Sequence, residues 1–221
     1  MARTSGGKAG PARRTSSPHL TDFDVERLES GRDYEGILFA DRDFTGQDAE
    51  DARFLECRLD RCGLDGLSMR RVRLVDCLLA EVHGANVDLS DSTWHDTRMS
   101  GGRIGAMNLA GATWKRVRLE GVKLGFVNFA AARLDEVVFD GCEIGSLDAG
   151  AAQMRSVQFV DCAVTEINVD EATLAKVDLS GAMLRTLTGI GSLRGAIVSH
   201  QQLLDLAPLL ASQLGLEVRA D

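Results

Sequence analysis

From Tyr34 onward the hydrophobic positions of this chain recur every five residues. The column of large apolar residues opens with Tyr34, Phe39, Phe44, Ala49, Phe54, Leu59, Leu64, Met69, Leu74 and Leu79, and resumes after Gly84 at Leu89, Trp94, Met99, Ile104, Leu109 and Trp114. It continues without an insertion through Phe129, Phe139, Phe159 and Leu179 to Leu184, giving 31 positions of which only Gly84 is not apolar. A second column lies two residues earlier and is mostly small or β-branched: Ala52, Cys57, Val72, Ala112, Val117, Ala132, Cys142 and Val177 are examples. A unit such as Val177-Asp178-Leu179-Ser180-Gly181 therefore reads small, polar, large, polar, polar.

A period of five matches neither a helix, at 3.6, nor a strand, at 2. It can bury two residues in five only if each unit turns a corner, so that the next unit again points inward. Four such sides close a square coil of twenty residues, and coils stack at the strand spacing of roughly 4.8 Å. Residues twenty apart then lie on one another. Trp94 stacks on Trp114, Phe139 on Phe159, Cys57 on Cys77 and Cys142 on Cys162, like on like. The spacing predicts a buried core that includes Leu89, Trp94, Leu109, Trp114, Phe129, Phe139 and Phe159.

The units Val87-Asp88-Leu89, Met107-Asn108-Leu109 and Val127-Asn128-Phe129 resemble the Ala-(Asp/Asn)-Leu-x-x motif of the pentapeptide repeat family. The resemblance covers about two thirds of the chain. It implies an all-β solenoid, a right-handed quadrilateral β-helix, of about eight coils, with a short N-terminal helical cap and a C-terminal helix.

Four segments follow. Residues 1–18 are rich in Gly, Ser and Pro, with Arg3, Lys8, Arg13 and Arg14 forming a short basic arm that is expected to be disordered. It reads as a solvated tail or, alternatively, as a nucleic-acid contact. Residues 19–33 are the N-terminal cap: the capping-box spacing of Thr21-Asp22-Phe23-Asp24 predicts a helix from about Asp22 to Glu29, which covers the first coil with Phe23, Val25 and Leu28. Residues 34–198 are the repeat, with a register slip after Leu184 that makes Leu193 and Val198 the next core pair and Ala196 their small partner. Residues 199–221 open with a capping box, Ser199 to Gln202, into a helix that Pro208 kinks or divides. Gly215 ends it, and Leu216-Glu217-Val218 is expected to add a short strand.

At 221 residues, 44% hydrophobic and 26% charged, the composition is that of a soluble single domain or of one domain with tails. Apolar runs are too short to span a bilayer and no secretory segment opens the chain, so a cytoplasmic protein without membrane contact is expected. The net charge of −8 argues against direct nucleic-acid binding by the domain as a whole. All five cysteines fall in the inward small column, no CxxC occurs and the four histidines are scattered, so no metal or cofactor site is expected. A filled square core leaves no convergent pocket, so no catalytic residue is assigned and the protein is read as a non-enzyme. An enzyme would require a pocket at an irregular coil such as the one after Leu184.

Sorted in steps of twenty, the outward charges are directional. The stripe carried on Ala49, Met69, Leu89, Leu109, Phe129, Ala149 and Val169 holds Asp48, Glu50, Asp51, Asp88, Asp91, Asp148, Asp170 and Glu171 against Arg70 and Arg71 alone. Eight acids less two bases leave −6, whereas the stripe on Tyr34 balances seven acids with seven bases. Two readings stand side by side: carboxylates that satisfy corner backbone groups, and an acidic track that competes with a polyanion.

The best-understood branches of the family, the Qnr-type and mycobacterial quinolone-resistance proteins, resemble B-form DNA in size, shape and charge. They dimerise through their C-terminal ends and bind DNA gyrase. The resemblance implies a DNA mimic acting on gyrase or another DNA-handling enzyme, and a homodimer formed by Leu203, Leu204, Leu206, Leu209, Leu210 and Leu214. This chain lacks the loop with which the Qnr type interrupts its coils. The rival reading is a general protein-interaction scaffold that never meets a topoisomerase.

Overall fold

The computed structural model describes residues 20–23 and 27–217. The basic arm at residues 1–18 lies outside them, as do Val25 and Val218. The repeat winds into a parallel β-solenoid with four faces, named here by their first central residue: first, Tyr34; second, Phe39; third, Phe44; fourth, Ala49. The first face is an eight-stranded parallel sheet, the second a ten-stranded one, and a seven-stranded sheet spans the third and fourth. Register between neighbours is twenty: Trp94 pairs with Trp114, Leu119 with Phe139 and Asn108 with Asn128.

Inside, the two columns pack into one continuous core that contains every residue predicted for it. The Trp94 and Trp114 rings lie 4.8 Å apart and the Phe139 and Phe159 rings 4.7 Å apart, both stacked. Corners fall two residues past a central side chain and turn left-handed there, as at Asp51 (φ 59°), Asp91 (57°) and Glu171 (57°). A non-glycine residue in that region costs about 1 kcal/mol, which the repeated burial and stacking offset.

The third-to-fourth corner changes character along the rod. It turns at Gly46 and Gly66, both with φ 65°. From His83–Asp88 onward a single strand carries the chain through it, repeated at Arg103–Asn108, Lys123–Asn128 and Glu143–Asp148. Gly84, the gap in the apolar column, sits at this change. A Cβ there would lie 3.0 Å from the Leu64 carbonyl carbon, so close backbone approach takes the space of the missing side chain. Gly105, Gly125 and Gly145 repeat the contact more tightly. A Cβ on each would meet the carbonyl oxygen one coil back at 2.4–2.5 Å. Phe126, beside them, points outward and is 41% exposed.

Both ends differ from the sequence expectation. Thr21–Asp22 is a strand, not the start of a helix, and pairs with Ile37–Leu38. Thr21 N–H donates to the Gly36 carbonyl and Phe23 N–H to that of Leu38, at 2.8 and 3.0 Å. The open sheet edge outcompetes the local capping signal. Capping itself holds: Phe23 and Leu28 are buried, and the Phe23 ring packs on Tyr34, Phe39 and Phe44. With Ala196–Ile197 adding a strand at the far end, the solenoid makes about nine turns rather than about eight.

The register slip is real. Ala196 pairs with Val177, nineteen residues apart, the shortening taken up by a 3₁₀ turn at Ile190–Ser192. Leu193, Ala196 and Val198 pack on the core as the slip predicts. Helix α1 (His200–Gln213) then crosses the last coil. Its capping box forms: Gln202 N–H donates to Ser199 Oγ at 3.2 Å and Ser199 N–H to Gln202 Oε1 at 2.8 Å. Gln202 Nε2 also donates to the Leu179 and Ala182 carbonyls, at 2.8 and 2.7 Å, tying the helix to the solenoid. Pro208 neither ends nor divides α1. The carbonyl it leaves without a donor is that of Leu204, on the exposed side, where solvent can serve it. Gly215, at φ 69°, follows the helix end as expected. Leu216 and Glu217 form no strand.

Candidate protein-binding surface

The fourth face is built from the residue before each central side chain, the residue after it, and the corner residue beyond. Its first column is Asp48, Ser68, Asp88, Asn108, Asn128, Asp148, Asn168 and Thr188. Asp48 Oδ1, Asp88 Oδ1 and Asp148 Oδ1 each accept a backbone N–H two residues on, at 2.9, 3.1 and 3.0 Å. Neighbours in the column are also bonded to each other: Asn108 Nδ2 donates to Asp88 Oδ1 at 3.0 Å, and Asn168 Nδ2 to Asp148 Oδ1 at 2.8 Å. Asp88 and Asp148 are half-buried in this ladder. They serve the corners, as the structural reading of the stripe has it.

The rest of the stripe divides. Arg71 takes Asp51 through two hydrogen bonds, at 2.8 and 2.9 Å, and Glu50 through a third at 2.8 Å. The Arg71 guanidinium holds the Asp51 carboxyl below its ordinary range. Asp91, Asp170 and Glu171 are exposed and form no ion pair among the described residues. The acids of the face sit in the rows of Ala49, Leu89, Ala149 and Val169, while the rows of Leu109 and Phe129 carry none and that of Met69 only Arg70 and Arg71. Among the described residues its unpaired carboxylates are Asp91, Asp170 and Glu171.

The other predicted residues sort as cleanly. In α1, Leu206 is buried and Leu210 packs against the core, so these two cap the last coil rather than face outward. Leu203, Leu204, Leu209 and Leu214 remain exposed, Leu204 by 54% and Leu214 by 73%. All five cysteines are free and buried. Cys57, Cys62 and Cys77 each donate to a main-chain carbonyl one coil back, and burial pushes the Cys62 thiol up. Among the described residues no cluster of His, Cys, Asp and Glu is arranged to hold a metal ion. No helix among them is long and apolar enough to cross a membrane.

An unbroken five-residue register on four faces is now joined by a direct match: residues 52–129 fit the pentapeptide repeat region. Residues 52–129 are a pentapeptide repeat region, and the same five-residue register runs on through both of their flanks. Among solved structures, HetL, a pentapeptide repeat protein involved in heterocyst differentiation regulation from the cyanobacterium Nostoc sp. strain PCC 7120, is 19% identical; the match covers 78% of this chain and 91% of HetL, with a TM-score of 0.34. Full-length QnrB1, a plasmid-mediated fluoroquinolone resistance protein, is 18% identical over 88% of this chain and 95% of its own, with a TM-score of 0.37. A trypsin-treated QnrB1 variant gives 17%, 90%, 95% and 0.38. Comparison with curated proteins gave no match. What sequence reasoning missed is Gln202. Its capping role was legible, but not its reach to two carbonyls of the last coil.

Proposed function

We propose that this pentapeptide repeat protein is a non-catalytic binding rod whose fourth face docks on the basic, DNA-holding surface of a partner, with DNA gyrase or another DNA-handling enzyme as the candidate. The observation that carries this reading is the one-sidedness of its charge: eight acids and two bases on one face of a four-sided solenoid. From Asp48 to Asn168 is six coils, about 29 Å at strand spacing. A net charge of −6 over that length is about one per 5 Å, against about one per 1.7 Å for duplex DNA. Mimicry by one copy is therefore partial. Joining two copies through the exposed leucines of α1, Leu203, Leu204, Leu209 and Leu214, doubles the track and covers an apolar patch that otherwise meets water. A DNA-handling partner places the protein in the cytoplasm, and no direct nucleic-acid contact is part of this reading.

The test is gyrase supercoiling with wild-type protein and with Asp91→Asn, Asp170→Asn and Glu171→Gln combined. These three carboxylates are the ones neither paired nor held in the ladder. Inhibition by the wild type and at least tenfold weaker inhibition by the triple variant support the proposal; equal potency removes the acidic track from it. A second reading, a general protein-interaction scaffold, is favoured by one observation: Asp88, Asp148, Glu50 and Asp51 are already spent on the protein's own backbone and on Arg71. No effect on gyrase at tens of micromolar leaves the scaffold as the account.

A further inference from the structure

Surface residues twenty apart in this rod tend to carry opposite charges. Arg61 pairs with Asp41, Arg71 with Asp51, Arg116 with Asp96 and Lys123 with Glu143. Where like charges stack on the second face, as Arg98 and Arg118 do, Glu120 pairs with both. On the first face two like-charged stacks of opposite sign lie in the same two rows. Arg53 and Arg73 lie in register on neighbouring strands. Among the described residues Arg73 has no ion pair, and Arg53 reaches only Asp33, at 3.9 Å. At the opposite edge of the face Glu56 stacks under Asp76, both exposed and neither in an ion pair among the described residues. Between the edges lie Leu55, 37% exposed, and Val75. The two rows read alike, base, core, apolar, acid: Arg53-Phe54-Leu55-Glu56 and Arg73-Leu74-Val75-Asp76.

Like charges directly opposite on neighbouring strands are destabilising, and here two such stacks of opposite sign border one apolar seam. We infer that this patch is a homotypic interface, on which a second copy of the chain docks about a twofold axis parallel to the solenoid axis. That rotation reverses strand direction and keeps each row at its height. The Arg53 and Arg73 edge of each copy then meets the Glu56 and Asp76 edge of the other, and Leu55 and Val75 pack against their counterparts. An isologous contact must be self-complementary in this way. Turning the second rod end for end instead sets arginine edge on arginine edge, which the charges forbid. The flanking rows, Asp33-Tyr34-Glu35-Gly36 and Thr93-Trp94-His95-Asp96, have no base at the arginine edge, so the patch is two rows deep. Its size puts it at the weak, reversible end of specific interfaces. It aligns rods side by side and is distinct from any end-to-end contact through α1.

Leu55→Cys in the full chain tests it, since the five native thiols are buried. Under mild oxidation the introduced thiol should form a disulfide-linked dimer, which an end-to-end dimer cannot give because it holds the two Leu55 positions far apart. Adding Arg53→Glu and Arg73→Glu, or instead Glu56→Arg and Asp76→Arg, should slow cross-linking about tenfold or more. Mixing these two charge-reversed proteins should restore it, because the reversed edges are then complementary. The restoration also shows that both variants are folded. No linked dimer, a rate indifferent to charge reversal, or a mixture no faster than its components would each overturn the proposal.

Discussion

Trp94 donates its indole N–H to the hydroxyl of Ser92, 3.1 Å away. One coil on, Trp114 stacks on it at 4.8 Å, yet its Nε1 is buried without a partner, because Ala112 stands where Ser92 stands below. A buried donor left unpaired costs roughly 1–3 kcal/mol. Ala112→Ser should therefore raise stability by about 1 kcal/mol, and Ser92→Ala should lower it by a similar amount or more. Urea unfolding of the two variants, followed by tryptophan fluorescence, reads both signs.

The glycine ladder gives a second prediction. Gly125→Ala places a methyl 2.4 Å from the Gly105 carbonyl oxygen, in a strand held on both sides. Backbone cannot yield as a flexible side chain does, so the loss should be about 3 kcal/mol or more. Gly121→Ala is the comparison: nothing lies within 4 Å of its added methyl, and only the left-handed corner, φ 62°, resists, at about 1 kcal/mol. Similar losses for the two would contradict the close coil-to-coil approach.

Much of this was legible in the sequence, because a solenoid makes its periodicity and its contacts the same thing. The side chain twenty residues away is the neighbour, so the core and the Trp94–Trp114 and Phe139–Phe159 stacks can be written down before any coordinates exist. The illegible parts lie where that equivalence ends. Thr21-Asp22-Phe23-Asp24 has the local chemistry of a helix start, but the Gly36 and Leu38 carbonyls of an open edge, which no local pattern reports, claim its N–H groups. Gly84 reads as a defect in the column and is instead where a corner straightens. On the fourth face, corner service was one of the two readings of Asp88 and Asp148, but the second hydrogen bond each accepts, from Asn108 and Asn168 one coil on, was not legible.

The core register itself is tested at Leu109, which is fully buried between Leu89 and Phe129 in the same stack. Leu109→Asp buries an unpaired charge, at a cost that exceeds the stability of a typical domain. The variant should show no cooperative β-type melting transition by circular dichroism; a wild-type transition would mean the five-residue register is wrong.

Acid should erode the ion-paired corners in a defined window. Hydrogen bonds from Arg116 hold the Asp96 carboxyl below its ordinary value, as Arg61 does for Asp41. A depressed native value means that the contribution is fully present above the unfolded carboxylate range near pH 4. It is lost as pH falls through the lowered native values. Stability should be flat from pH 7 to about pH 5 and fall below about pH 4. Arg116→Met should be less stable than wild type at pH 7, with the gap closing by pH 3. A gap that persists in acid would show that Arg116 acts through packing alone.

The central claim, that the fourth face stands in for duplex DNA on a basic partner, is tested most directly by displacement. Labelled duplex bound to purified gyrase is titrated with this protein, and fluorescence anisotropy reads the duplex released. Wild type should displace it, several-fold less well on going from 50 to 200 mM salt, where screening shortens to about 7 Å. The Asp91→Asn, Asp170→Asn and Glu171→Gln variant should need at least about tenfold more protein, each lost contact being worth a few tenths to about 1 kcal/mol. Duplex that stays bound at every concentration of wild-type protein, or equal displacement by the variant, would contradict the account.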